Sequence, residues 1–257
     1  MQNFRQSPSF RLAKSAINKI LSRMGLKMVN SCWGPCGFAN TLKRIKEQNV
    51  IPRQIVDVGA ARGEWYLECL SVFPEADYFL VDPLDENKDT LCKLEQDRHN
   101  IKMWSGALGP RTCQVPFYTH GDQSSFLESE YSKSDCARKK MTQVRTLDSF
   151  LEDGTIQKCD MIKIDVQGYE LEVLKGAEAC LKDTELLLIE VSFQQIYENS
   201  PLADEVISYA SSKGFHIFDI CSYATRPFDG KLAQSDMLFA RKNSILFSDK
   251  GWGVSCL

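Results

Sequence analysis

The sequence predicts an α/β fold, a mostly parallel sheet with helices on both faces and one inserted hairpin. Two observations carry this. From Ile51 onward, short apolar runs alternate with helical patterns, the signature of repeated strand–helix units. The alternation breaks once, over residues 109–150, where two stretches of alternating polarity flank a long polar segment.

The elements follow in order. QIVDVGA (54–60) reads as a buried strand, with a helix through EWYLECLSVF behind it. YFLVDP (78–83) is the second strand, stopped by Pro83, and KDTLCKLEQD the next helix. NIKMWSGA supplies a third strand. QVPFYT and MTQVRT form the expected hairpin, and HGDQSSFLESEYSKSDCARKK between them reads as a functional loop or lid. DMIKIDV (160–166) is the fourth strand, followed by a helix from about Tyr169 to Leu181. ELLLIEVSF (185–193), a helix over PLADEVISYASSK ending at Gly214, GFHIFDI (214–220) and DMLFARK (236–242) complete seven core strands.

Composition narrows the function classes. With 257 residues, 43% hydrophobic and 25% charged, the chain has ample material for a buried core and is neither disordered nor collagen-like. No apolar run is long enough to span a membrane. The net charge of -3 argues against a chain basic throughout, and no nucleic-acid partner is expected. That average is uneven: residues 1–46 carry nine basic residues and no acid, leaving 22 basic and 34 acidic residues beyond. Within this stretch, residues 9–24 form an amphipathic, basic helical pattern. A helix docked on the domain edge is the favoured reading; a targeting segment or a weak membrane-surface contact is the alternative. Residues 1–49 are therefore expected to be a helical arm and 50–257 the main domain. The ten cysteines are scattered, which suits a reduced cytoplasmic protein better than a disulfide scaffold. Cys32 and Cys36 lack a second ligand pair, so no metal is expected.

In parallel sheets of this kind, ligands bind at the carboxyl ends of the strands. The first strand ends in Asp57-Val58-Gly59-Ala60-Ala61-Arg62-Gly63-Glu64. Gly59 and Gly63 allow a sharp turn and close approach of a ligand. The pattern is not the three-glycine dinucleotide fingerprint, and Glu64 would repel a pyrophosphate at the helix start. A nicotinamide dehydrogenase is thus disfavoured. Asp82 ends the second strand 25 residues after Asp57, where a carboxylate can accept ribose hydroxyls. A phosphate-free turn with a ribose acid fits S-adenosylmethionine. The fourth strand places Lys163 and Asp165 on one face, with Gln167, Gly168 and Glu170 just beyond. Charges in an otherwise apolar run suggest a site, with a buried ion pair and a helix-start acid as the plainer account.

IVDVGAARGEW, YFLVDP, SGALG, QSSFL, VRTLDSF and DMIKIDVQGYELEVLKGA resemble the motifs of the FkbM-type S-adenosylmethionine-dependent methyltransferases. The resemblance covers residues 50–242 and implies a Rossmann-like class I methyltransferase fold with an antiparallel last strand. It implies O-methylation of a hydroxyl on a sugar, glycan or secondary metabolite. It also implies that Asp57, Gly59, Ala61 and Gly63 line the methionine end of the cofactor, that Asp82 holds the ribose, and that Ala107 lies beside the adenine. The sequence departs from the family pattern at Ala61 (commonly Asn), Asp82 (commonly Glu) and Gln167 (commonly Glu).

Methyl transfer to a hydroxyl wants a base as the proton leaves. Asp165, at the cofactor crevice, is the first candidate and His120 in the polar loop the second. Lys163 and Glu170 would orient Asp165 or the acceptor. Lys133, Arg138, Lys139, Lys140 and Arg145 make the insert basic, a hint of an anionic acceptor. The alternatives are a non-catalytic cofactor-binding module, or transfer to a nitrogen or a carboxylate.

Overall fold

A computed structural model describes residues 37–119, 124–128 and 138–248. The expected helix over 9–24, Cys32, Cys36, His120, Lys133 and most of the insert's tip lie outside these residues.

In chain order the described elements are α1 (Phe38–Glu47), β1 (Gln54–Val58), α2 (Glu64–Val72), β2 (Asp77–Asp82), α3 (Asp85–Asp97), β3 (Ile101–Ser105), β4 (Ala107–Leu108), β5 (Cys113–Thr119) and β6 (Arg138–Arg145). There follow α4 (Leu147–Glu152), β7 (Met161–Ile164), α5 (Glu170–Lys175), α6 (Cys180–Asp183), β8 (Leu186–Ser192), α7 (Ala203–Ser212), β9 (Phe215–Thr225) and β10 (Leu232–Arg241). Seven strands form one sheet in the order β3-β2-β1-β7-β8-β10-β9. The first five are parallel, whereas β10 runs antiparallel to both its neighbours. The strand order reverses between β1 and β7, which opens the crevice where ligands of such sheets bind. Among the described residues no helix is long and apolar enough to cross a membrane.

Strand periodicity builds two cores from one sheet. Ile55, Tyr78, Leu80, Met161, Leu186 and Leu188 point to one face, where α1, α2 and α3 cover them with Leu42, Ile45, Tyr66, Cys69 and Leu91. Their neighbours Val56, Val58, Phe79, Val81, Ile162, Ile164, Leu187 and Ile189 point to the other, under α4, α5, α6 and α7. Helix α1 is fastened by Thr41, whose hydroxyl donates to Asp219 on β9 at 2.8 Å, and by the Arg44–Asp219 ion pair.

The insert is a hairpin, as expected, but it has a third strand: β6 pairs antiparallel with β5 and parallel with β4. One expected element is divided. The helix over 169–181 stops at Gly176 and restarts as α6. Gly176 passes so close to the insert's base that a Cβ there would lie 2.0 Å from the Gly109 carbonyl oxygen. Asp148 then opens α6 by accepting from Ala179 N–H at 2.8 Å and Cys180 N–H at 2.9 Å. Satisfied amides make this a new helix start. The strands β9 and β10 extend further toward their shared turn than the apolar runs 214–220 and 236–242 indicate.

Candidate active site

The site begins where β1 ends. Gly59 and Gly63 sit at φ 78° and 86°, and Ala61 between them at 47°, left-handed conformations that glycine adopts freely and alanine at a cost. Gly59 N–H and Ala60 N–H both donate to the Val81 carbonyl, at 2.9 and 3.0 Å, which folds the turn over β2. A Cβ at Gly59 would fall 1.8 Å from the Asp165 carbonyl oxygen, so this position must be glycine. Gly63 answers to packing: its Cβ would meet Leu94 Cδ1 at 2.8 Å.

Asp82, 6% exposed, closes the turn from β2. Its Oδ2 accepts from Ala61 N–H at 2.9 Å, and its Oδ1 from Leu84 N–H at 2.9 Å and Asn87 Nδ2 at 3.0 Å. Burial pushes its carboxyl up, opposed by those three donors. A carboxylate offers about four acceptor positions, so one on Oδ2 stays free for a ligand hydroxyl.

Between these strand ends and the insert lies a cavity of about 230 Å³. Val58, Val81, Leu108, Phe117, Phe126 and Tyr169 form apolar walls, and Gly59, Ala61, Asp82, Ala107, Asp165 and Gln167 also line it. Among the described lining residues there is no lysine, arginine or histidine. Phe126 holds the 124–128 segment in place, its ring 4.8 Å from Phe117 and 4.9 Å from Tyr169.

Four described residues expected at the site, Asp57, Gly63, Lys163 and Glu170, do not line the cavity. Asp57 is fully buried beneath the turn, paired with Lys163 at 3.1 Å. Lys163, 7% exposed, also donates to the Gly59 carbonyl at 2.8 Å and stands 3.6 Å from Asp165 Oδ2. Burial works against its charge, but Asp57 and Asp165 outweigh burial and push its pKa up. Burial likewise raises Asp57, and Lys163 pulls it back. Lys163 therefore binds the turn to the sheet. Glu170 is 4% exposed and accepts from Gly168 N–H at 2.9 Å and Val166 N–H at 3.4 Å, closing the loop before α5. Burial pushes its carboxyl up to about 7. Asp57 and Glu170 are thus scaffold at this site, as is Gly63.

Asp165 does reach the cavity, with 33% of its side chain exposed. Beyond it stands a residue that the motifs did not single out, Glu190 on β8. Ile164 pairs with Ile189, so Asp165 and Glu190 follow side by side. Gln167 Nε2 donates to both, at 3.0 Å to Asp165 and 3.3 Å to Glu190. Gln234 adds a 2.6 Å bond to Glu190. Asp236, opposite Glu190 on β10, takes a short hydrogen bond from Ser222. Burial, then Asp165 and Asp236, push the Glu190 carboxyl up to about 9. The available signal was a lone acid inside the apolar run ELLLIEVSF.

Three basic residues of the insert have described local contacts. Lys140 pairs with Asp85 at 2.6 Å, Arg145 with Asp153 at 2.7 Å, and Lys139 lies over the Tyr118 ring. His99 and His216 are exposed, and neither lines the cavity.

A sequence model described as the methyltransferase FkbM domain matches residues 57–217. The chain is 24% identical over 161 residues to 2-O-methyltransferase NoeI of Sinorhizobium fredii, covering 56% of this chain and 65% of that protein. It is 39% identical over 44 residues to hexuronic acid methyltransferase AglP of Haloferax volcanii, 17% of this chain and 18% of that protein. The chain thus matches less than two thirds of the length of either relative. Among solved structures it is similar to methyltransferase FkbM from Methylobacillus flagellatus, with a TM-score of 0.50 and 19% identity over 74% of this chain and 43% of that one. That likeness concerns the fold.

Proposed function

The chain belongs to the methyltransferase FkbM domain family, and from that premise we propose that it transfers a methyl group from S-adenosylmethionine to a hydroxyl of a sugar, glycan or related metabolite. One observation carries the reading: the cavity presents two carboxylates, Asp82 and Asp165, and no basic side chain among its described lining residues. Such a lining favours a cationic ligand and disfavours a polyphosphate, which recruits lysine, arginine or helix N-termini. The residues present fit the cofactor. The Gly59 backbone allows close approach, the free acceptor position of Asp82 suits a ribose hydroxyl, and Ala107 offers a flat apolar contact for a base. When bound, S-adenosylmethionine supplies an electrophilic methyl on a positively charged sulfur.

The remaining work belongs to the protein. Val58, Val81 and Leu108 give the cavity apolar walls that disfavour water, and alignment of the reacting atoms there contributes most. Asp165 keeps lone pairs free and takes the acceptor's proton as the new bond forms. Similarity to NoeI, a 2-O-methyltransferase, supports an oxygen acceptor, and similarity to AglP, a hexuronic acid methyltransferase, supports a sugar.

Calorimetry with S-adenosylmethionine, S-adenosylhomocysteine and a nicotinamide dinucleotide tests cofactor choice, with binding expected for the first two only. Methyl transfer is then assayed against hydroxyl, amine and carboxylate acceptors, and activity confined to the latter two would refute the hydroxyl assignment. Asp165→Asn is expected to lower turnover by roughly 100-fold or more while cofactor affinity holds. Unchanged turnover would remove Asp165 from the base role.

A further inference from the structure

Gln167 occupies a conformation that needs a reason. It is a non-glycine residue at φ 55°, two positions after Asp165 in the loop that follows β7. Every polar atom of its amide is engaged. Tyr197 Oη donates to Oε1 at 2.9 Å, and the two N–H groups reach Asp165 Oδ1 and Glu190 Oε2 at 3.0 and 3.3 Å. Its backbone carbonyl accepts from Ser125 Oγ at 2.7 Å, which ties it to the insert. Asp165, an acceptor only, sets the Nε2 end of the amide toward the two acids, and Tyr197 donates to the other end.

We propose that Gln167 is a positioning residue for methyl transfer, fixing the Asp165 carboxylate at the cavity by tying it to Glu190 through an amide that Tyr197 holds at its other end. The inference rests on the methyl-transfer reading, with Asp165 as the proton acceptor. Burial beside Asp165 disfavours a second charge on Glu190, and a neutral group with two donors holds both side chains without adding charge. Alanine there offers neither bond. Glutamate replaces both donors with acceptors and places a third acid between the first two.

The groups facing Glu190 give the arrangement its electrostatics: Asp165 and Lys163 from β7 and its end, Asp236 and Gln234 from β10, and Glu170 from α5. Held with its proton by burial and by these acids, Glu190 presents Asp165 with a neutral neighbour near neutral pH. The Asp165 charge is then free to serve the acceptor.

The test compares wild type with Gln167→Ala, Gln167→Glu and Tyr197→Phe, reading kcat and its pH profile, KM for the acceptor, cofactor affinity by calorimetry, and the Glu190 carboxyl by carbon-13 titration. Gln167→Ala is expected to lower kcat roughly 10- to 100-fold, with cofactor affinity little changed. Tyr197→Phe, which removes the bond at the other end of the amide, gives a smaller fall in the same direction. Gln167→Glu moves the acidic limb of the kcat profile and the Glu190 titration upward by about one pH unit, since a like charge disfavours ionisation. The titration reads the bridge even in a variant without activity, and circular dichroism of each variant separates misfolding from mispositioning. If the cofactor binds and methyl is transferred but Gln167→Ala and Gln167→Glu match wild type in kcat and pH profile, the inference is overturned and the methyl-transfer reading survives. If wild type binds no S-adenosylmethionine, that reading fails and takes the inference with it.

Discussion

The two sides of the cavity hold their acids in opposite ways. At the β1–β2 end, Asp57 is sealed against Lys163 and three donors fill most of the Asp82 carboxylate. At the β7–β8 end, Asp165 and Glu190 stand partly exposed, bridged by one amide. Nearly the same residue types thus serve as framework on one side and stand half-buried beside the cavity on the other. What separates them is burial: Asp57 and Asp82 are sealed from solvent, whereas Asp165 and Glu190 are half-buried.

The most damaging way to probe this contrast is Lys163→Met. It leaves Asp57 buried without its counter-charge and is expected to cost about 3–5 kcal/mol in urea unfolding. Adding Asp57→Asn should return much of that loss. A cost well below about 1 kcal/mol would place this pair among ordinary surface ion pairs and dissolve the contrast.

A smaller effect is set by pH. The Glu170 carboxyl is raised from 4.5 to about 7 in the folded protein, so the folded state binds its proton more tightly than the unfolded chain does. Its contribution to stability is present below pH 4.5 and is lost as pH rises through about 7. The loss is of order 3 kcal/mol. Urea midpoints should fall between pH 5 and 8 in wild type and fall less in Glu170→Gln, which keeps an acceptor for Gly168. Glu190, raised to about 9, shifts in the same direction and leaves a residual slope at higher pH.

The mildest change is Lys140→Gln in the insert. Its pairing with Asp85 is exposed, so stability should move by less than about 1 kcal/mol. An unchanged KM for a carboxylated acceptor would confirm that this charge serves the surface; a raised KM would revive the anionic acceptor that the insert's basic residues suggested.

Much of this was legible in the sequence. The alternating strand faces, the glycine turn, the hairpin insert and the placement of Asp82 and Asp165 at one crevice follow from local pattern and strand-end rules, and the place of Ala107 there follows from the family resemblance. Local pattern did not reveal that Asp57 and Lys163 turn away from the cavity. Alternation fixes a face, but which end of that face is sealed depends on how Gly59 folds over the neighbouring strands. Glu170 looked like a site acid because it adjoins Asp165 in sequence, yet it caps the loop amides. Glu190, Tyr197 and Ser125 escaped for a related reason. They meet Gln167 from 23, 30 and 42 residues away, a proximity that arises only from the assembled sheet and insert.

The position of the crevice also dictates when it can exist. Contacts between β1 and β2 span 23 residues, whereas the seam between β1 and β7 joins positions 106 residues apart, pinned at its start by Asp160 accepting from Arg53 and Gln54. Closing the longer loop costs about 1.4 kcal/mol more in chain entropy. Gly59 belongs to one side of that seam and Asp165 to the other. A nascent chain can therefore pair its first strands without possessing a site at all, and the crevice comes into being only with the long-range closure that completes the sheet.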